Sequence, residues 1–462
     1  MKMASVPGIS EWRKLPLSLT ELCIDTTLRC GQAFRWRKIG DEWHCALQGR
    51  IVSLRQDATH LHYKATWPST EAAAATATKP LSVPSPPGKP SSSSPGVEDD
   101  TLALVRSYFN LDHSLPALYA TWSSRDANFA RRSAAFGGVR ILNQDAWEAL
   151  VAFICSSNNN IARIAGMLAR LCARFGPDLG RLSSSSSPTA NDADDHDPPF
   201  HDLPGPDALA GPEVESALRA LGFGYRARYV ADAARQVATE RPPGWLAGLR
   251  NPSSSTPTPP DSSTGDGYKA ARDALLALPG VGPKVADCVC LMGLGWAEAV
   301  PVDTHVWRIA RRDYGFGGGS GGSSSSSSSG KAISKAMYDA VGDHFRAVWG
   351  PYAGWAQSVL FTANLRSFAE QAAGGGGRRG TAVARVDGED REEKKQVVKV
   401  EEREDGEDGM VAVASAAAVG RKRKRKMAER ESGLKVEEGQ ETTEVKVVTR
   451  ILRSSKRRKT ST

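Results

Sequence analysis

This chain lacks most of the signals that would make it secreted, membrane-bound or metal-centred. Its seven cysteines, Cys23, Cys30, Cys45, Cys155, Cys172, Cys288 and Cys290, are odd in number and scattered, with no CxxC pair. That pattern offers neither a disulfide framework nor a zinc spacing, and reads as reduced thiols. Cys288 and Cys290 stand two apart on a helical stretch, so they point to different faces and make a poor metal pair. No metal and no cofactor are expected. No apolar run approaches the length needed to cross a bilayer, and the amino terminus shows no secretory core. An intracellular protein without a membrane partner is therefore expected.

What the sequence has in excess is low complexity. Of 462 residues, 40% are hydrophobic, enough for two or three cores, yet four interior tracts are built from Ser, Pro, Gly and Ala: 66–99, 182–206, 251–267 and 316–331. Such tracts gain too little apolar burial to offset their ordering entropy, and read as disordered inserts within one fold. The segment 373–462 reads as a disordered tail, charge-dense and poor in aromatics. From Arg378 onward it carries 23 Lys and Arg against 17 Asp and Glu, which is +6 of the whole chain's +8. Its basic character belongs mostly to this tail, so nucleic-acid binding by the folded part has to rest on local clusters.

Between Phe34 and Tyr63 polar and apolar residues alternate, with GD and QG as turn signals, as in an antiparallel sheet with one wet face. Helical spacing follows over 101–121, 144–157, 161–175, 213–221 and 226–239. Strands first and helices after indicate an α+β fold. An N-terminal antiparallel β domain would span 12–125 and helical domains 126–372, with a helix-hairpin-helix at 268–294.

That motif centres on LPGVGPKVADCVC, Leu278 to Cys290. Ala271, Ala274, Leu275 and Leu278 form one apolar helical face, and Val285, Cys288, Val289 and Met292 another, on either side of PGVG. Gly280 and Gly282 permit backbone angles closed to other residues and keep side chains away from an approaching phosphate, so the exposed amides can bind DNA backbone without reading sequence. Pro283 suits a first helical position and puts Lys284 in the first turn. There the helix dipole and burial disfavour the ammonium, and a neutral amine can attack a sugar carbon and form a Schiff base. The bare residues equally allow a plain phosphate contact. In PVDTHVWRIARRDY, Asp303 stands at an N-cap, with Val306, Ile309 and Ala310 on one face and Arg308, Arg311 and Arg312 on the other. A capping carboxylate held by amides stays ionised, and could also stabilise positive charge on a ribose as a base departs.

Together these two segments resemble the helix-hairpin-helix DNA glycosylases that carry a Gly/Pro-rich loop and an aspartate, and within them the eukaryotic 8-oxoguanine DNA glycosylase/lyases. The likeness extends in order to CGQAFRWR (Cys30 to Arg37), ICSSNNNIARI (Ile154 to Ile164), LGFGYRARYV (Leu221 to Val230) and YAGWAQSVLF (Tyr352 to Phe361). It implies a bifunctional repair enzyme that releases 8-oxoguanine opposite cytosine from duplex DNA and then nicks the strand by β-elimination. Lys284 matches the nucleophile and Asp303 the assisting carboxylate. Pro301, Asp303, Gln357 and Phe361 match the lining of the pocket for the extruded base, with Cys288 beneath it. Gly31 matches a backbone carbonyl that accepts from the N7 hydrogen carried only by the lesion. Asn158, Arg163 and Arg226 match contacts to the estranged cytosine, Tyr225 a wedge beside it, and His305 with the amides near Gly280 and Gly282 a clamp on the lesion-strand phosphate.

The inserts and tail depart from the family pattern. RKRKRK (Arg421 to Lys426) and KRRK (Lys456 to Lys459) suit nuclear import or a diffuse DNA tether. The expected protein is a nuclear monomer, with a mitochondrial pool as a further location, acting on duplex DNA that contains an oxidised purine. Two other readings stand beside this one: a non-catalytic helix-hairpin-helix DNA-binding protein, and a glycosylase for another oxidised base. The iron-sulfur branch of such enzymes would need four closely spaced cysteines late in the chain, and none follows Cys290.

Overall fold

The computed structural model describes residues 8–68, 99–182, 198–252, 265–317 and 333–368. The tail, with both basic runs, and most of the four Ser/Pro/Gly tracts lie outside the described residues.

The alternating segment forms strands β2 (Arg37–Ile39), β3 (Glu42–Leu47), β4 (Arg50–Gln56) and β5 (His60–Thr66), joined at the edge by β1 (Arg13–Pro16) in a five-stranded antiparallel sheet of order β1-β5-β4-β3-β2. The QG signal is the β3–β4 hairpin loop: Gln48 and Gly49 both have positive φ, 51° and 75°. That two-residue geometry matches the strand twist. A short helical turn, α1 (Ile24–Thr27), follows β1. The helical part comprises α2 (Thr101–Tyr108), α3 (Leu115–Arg125), α4 (Ala127–Ser133), α5 (Ala146–Ser156), α6 (Ile161–Phe175), α7 (Val214–Ala220), α8 (Arg226–Arg235), α9 (Trp245–Gly248), α10 (Gly265–Leu276), α11 (Pro283–Met292), α12 (Thr304–Tyr314), α13 (Lys335–Trp349) and α14 (Ala353–Ala363). The spacing read over 101–121 is split into α2 and α3, because Asn110 turns left-handed at φ 50°.

Helix α5 is the axis of the helical core. Asp145 caps it, accepting from the amides of Trp147 (2.9 Å) and Glu148 (3.0 Å), and Ala146 to Cys155 are all buried. Each large apolar side chain buried there contributes about 1.5–3 kcal/mol. Helix α11 packs on α5 and on α10, so the hairpin and its lysine are seated on an almost fully buried helix.

One expectation of the sheet fails. The sheet does not keep a wet face along its central strands: β3 is buried from Trp43 to Leu47 and β4 from Arg50 to Leu54. The outer face is covered by Leu179 and Phe200, which cluster with Ala46 and Ile51. Phe200 belongs to the stretch read as an insert over 182–206, whose composition conceals its last part. Residues 198–206 are described and packed: the Arg37 guanidinium lies 3.4 Å from the Phe200 ring centre, and the Pro204 carbonyl accepts from Trp147 Nε1 at 2.9 Å.

Six of the seven cysteines are buried and all are free thiols. Burial raises the Cys30 and Cys290 thiols, and pushes Cys155 to about 12 and Cys172 and Cys288 to about 11.

Candidate active site

The hairpin and the loop entering α12 converge on one pocket of about 430 Å³, counted to its open mouth. Its lining includes Gly31, Lys284, Cys288, Pro301, Asp303, Gln357 and Phe361. All the residues expected to handle the lesion base are thus brought together from four separate segments. A wider cleft of about 2040 Å³ runs beside Arg35, Glu148 and Asp202. Those groups are already bonded to one another, and no lysine lines that cleft.

Lys284 lies in the first turn of α11, directly after Pro283 at the first helical position. Its Nζ donates to Ser156 Oγ at 2.9 Å and stands 5.1 Å from the centre of the Phe153 ring. Both partners belong to the end of α5. Asp303, which lines the pocket, caps α12 by accepting from the Val306 amide at 2.9 Å, so the helix fixes the carboxylate. The two segments are tied together behind the pocket by Asp287, buried one residue before Cys288. Its carboxylate accepts from Tyr268 Oη (2.7 Å), Arg272 Nε (2.8 Å) and Tyr338 Oη (2.5 Å). Tyr338 Oη in turn accepts from the Val302 amide at 3.2 Å, just before Asp303. A buried carboxylate with this many donors locks the relative positions of α10, α11, α13 and the loop leading into α12.

The remaining walls are equally fixed. Gly31 has φ 83°, and a Cβ there would stand 3.3 Å from Ile161 and 3.8 Å from the Phe361 ring. The next residue, Gln32, is held at three points: its Nε2 donates to the Arg140 carbonyl (2.8 Å), its Oε1 accepts from the Leu142 amide (3.0 Å), and its carbonyl accepts from Gln144 Nε2 (2.9 Å). That bracing fixes the Gly31 carbonyl. Gln357 is 5% exposed, and among the described residues its amide has no hydrogen-bond partner. One turn on, Phe361 meets the His305 ring edge to face at 5.8 Å. Cys288 closes the floor, its thiol raised by burial against the opposing pull of Lys284.

The two hairpin glycines differ. Gly280 has φ 75°, and a Cβ there would sit 2.5 Å from Tyr229 Cβ, so only glycine fits. Gly282 has φ −90° and ψ 178°, an extended backbone open to any residue, and a Cβ there would meet nothing within 4 Å. The conformational reason expected for both applies to Gly280 alone. What Gly282 contributes is an exposed, uncluttered surface at the start of α11, where the amides point outward.

The residues expected to face the orphan base gather at the α5–α6 turn and the start of α8. Arg226, 3% exposed, donates from Nε to the Ser157 carbonyl (2.9 Å) and from Nη2 to the carbonyls of Ser157 and of Asn158 (3.0 Å). Its guanidinium also lies 4.4 Å from the ring centre of Tyr225. Tyr225 is 42% exposed and its Oη donates to the Ser157 carbonyl at 3.3 Å. Asn158 is left-handed at φ 52°, and Asn160 caps α6 by accepting from the Arg163 amide (2.9 Å), leaving the Arg163 side chain exposed. Ser156 and Phe153, which touch the lysine, were not singled out from the sequence. A serine and a phenylalanine three apart at the end of an apolar helix look like ordinary packing until α11 is docked on them.

Residues 14–150 match the family described as 8-oxoguanine DNA glycosylase, N-terminal domain, and residues 151–325 the HhH-GPD superfamily of base excision DNA repair proteins. The N-glycosylase/DNA lyase of Saccharomyces cerevisiae is 34% identical over 76% of this chain and 86% of its own. The chain belongs to the 8-oxoguanine DNA glycosylase family. The N-glycosylase/DNA lyase OGG1 of Arabidopsis thaliana is 33% identical, over 78% of this chain and 81% of its own. In fold, the chain resembles a Clostridium acetobutylicum 8-oxoguanine glycosylase/lyase solved with DNA containing cytosine opposite 8-oxoguanine. That likeness has a TM-score of 0.52 at 20% identity, covering 74% of this chain and 91% of the other. Membership of this family accounts for why the sheet, the helical core and the pocket occur together.

Proposed function

We propose that this member of the family releases 8-oxoguanine opposite cytosine from duplex DNA and nicks the resulting abasic strand, with Lys284 as the nucleophile. The observation that carries the reading is the meeting of Lys284 and Asp303 in one pocket with the Gly31 carbonyl, Cys288, Gln357 and Phe361. Extrusion of a base from the stack costs a few kcal/mol. The Phe361 ring offers a face for the extruded base, and the Gln357 amide its edge. The Gly31 carbonyl accepts from the N7 hydrogen that guanine lacks, which favours the oxidised base.

In the chemical step the Lys284 amine bonds to the sugar C1′ as the bond from C1′ to the base breaks, and the Asp303 carboxylate stabilises positive charge on the ring. Proton loss from nitrogen and ring opening give the imine. Removal of a C2′ proton then expels the 3′ phosphate oxygen, and water returns the lysine. DNA is the partner of the clamp formed by Gly280, Gly282 and His305, and Asn158, Arg163, Tyr225 and Arg226 serve the orphan base. We further propose that the protein acts as a monomer and that the basic runs of the tail direct it to the nucleus or tether it to DNA.

The test is a panel of duplexes holding 8-oxoguanine, another oxidised base or guanine opposite each of the four bases, scored for base release, nicking and borohydride-trapped adduct. Release and trapping confined to the oxidised purine, and strongest opposite cytosine, uphold the reading. Equal action on another oxidised base, or binding without release, replaces it with one of the two other readings.

A further inference from the structure

Three consecutive residues at the end of α5 serve two different parts of the site. Ser156 Oγ accepts from Lys284 Nζ at 2.9 Å. The Ser157 carbonyl accepts from both Arg226 and Tyr225, and the Asn158 carbonyl from Arg226. Ser156 is itself oriented, because its hydroxyl donates to the Phe153 carbonyl at 2.7 Å. The oxygen lone pairs are thereby left for the lysine. The ring beneath the lysine also belongs to Phe153. The nucleophile is therefore moored to the last turn of α5, and the groups that face the orphan base are moored to the residues immediately after it.

Arg226 spends three donor contacts on those carbonyls and is almost fully buried. A base bonded through the remaining N–H donors of this guanidinium pulls on a group that is already bonded to the turn, so a movement of Arg226 is passed to the Ser157 and Asn158 carbonyls. Asn158, at φ 52°, makes the left-handed bend of that turn. A shift of Ser157 displaces Ser156 Oγ, which is covalently adjacent. We propose that the Ser156–Asn158 turn couples recognition of the opposite base to the nucleophile, with Ser156 as a positioning residue that holds Lys284 in place until Arg226 engages cytosine. This rests on Lys284 being the nucleophile, and it adds a route by which the two halves of the site communicate.

The experiment measures single-turnover base release by the full chain at saturating enzyme, with 8-oxoguanine opposite cytosine or opposite adenine. Ser156→Ala is expected to slow release opposite cytosine about tenfold and to lower the cytosine-to-adenine rate ratio about threefold or more, since small misplacements of a reacting group carry losses of this size. Melting temperature monitors folding. Ser156→Thr, which keeps the hydroxyl, is expected to restore the ratio. A second reading that does not need Ser156→Ala is the rate of borohydride trapping by Arg226→Lys on a duplex with an abasic site opposite cytosine. It should shift about threefold or more, because a single ammonium cannot hold both carbonyls. Equal losses on both duplexes, no loss, or an unmoved trapping rate in Arg226→Lys would each overturn the coupling. A wild-type chain that forms no trapped adduct sinks the nucleophile itself, whereas trapping that depends on Lys284 with an unmoved ratio sinks the coupling alone.

Discussion

The lesion pocket and the orphan-base turn are built on opposite principles. Around the pocket the supports come from several elements: Asp287 takes three donors, Gln32 is held at three points, and Asp303 is fixed by its own helix. At the turn one guanidinium holds two carbonyls, an exposed tyrosine lies over it, and an asparagine is left-handed. The pocket is braced from several elements, whereas the turn is held by the Arg226 guanidinium and by Asn159, whose Nδ2 donates to the Cys155 carbonyl at 2.9 Å. Under the proposed function, rejecting guanine needs rigidity where the base is judged and a responsive element where its surroundings are sampled.

Substitutions can break or sharpen that contrast. The largest effect belongs to the pocket: Lys284→Gln should bind duplex about as well as the wild type yet lose base release and every borohydride-trapped adduct. A surviving adduct would show that another amine does the work. Next, Asp303→Asn keeps a capping oxygen but loses the charge, and should slow base release about a hundredfold while changing the dissociation constant little. Equal losses in rate and affinity would reduce Asp303 to a cap. On the turn, Arg226→Lys should cut the preference for cytosine about tenfold, a smaller change read in the ratio between partner bases. The smallest effects separate the hairpin glycines. Gly280→Ala, driven against Tyr229 in a left-handed conformation, should cost about 3 kcal/mol of stability, read as a drop of several degrees in Tm. Gly282→Ala should leave Tm unchanged and weaken duplex binding about tenfold, because its methyl group points into the space a phosphate would enter. The opposite pattern would mean that the hairpin is not the phosphate clamp.

The parts of the site legible in the sequence are those carried by short-range rules. Proline at a first helical position, an aspartate before an amphipathic run, and residues four apart on one helix identified Lys284, Asp303, Gln357 and Phe361 from local spacing and family likeness. Gly31 was accessible only through the likeness, because a backbone carbonyl has no side-chain signature. Ser156 went unremarked because its importance arises from the docking of α11 on α5, a contact between residues 128 positions apart. The dry outer face of the sheet and the packed end of the 182–206 tract were misread for one shared reason. Phe200, alone among Pro, Asp and His, is the side chain that covers Ala46 and Ile51, and neither half of that contact is visible without the other.

The buried thiols carry a consequence for where such an enzyme can operate. With pKa values near 11 to 12 for Cys155, Cys172 and Cys288, only about one such sulfur in ten thousand or fewer is ionised at neutral pH, and peroxide attacks the ionised form. The Cys288 thiol, which lines the pocket, is therefore slow to become a sulfenic acid.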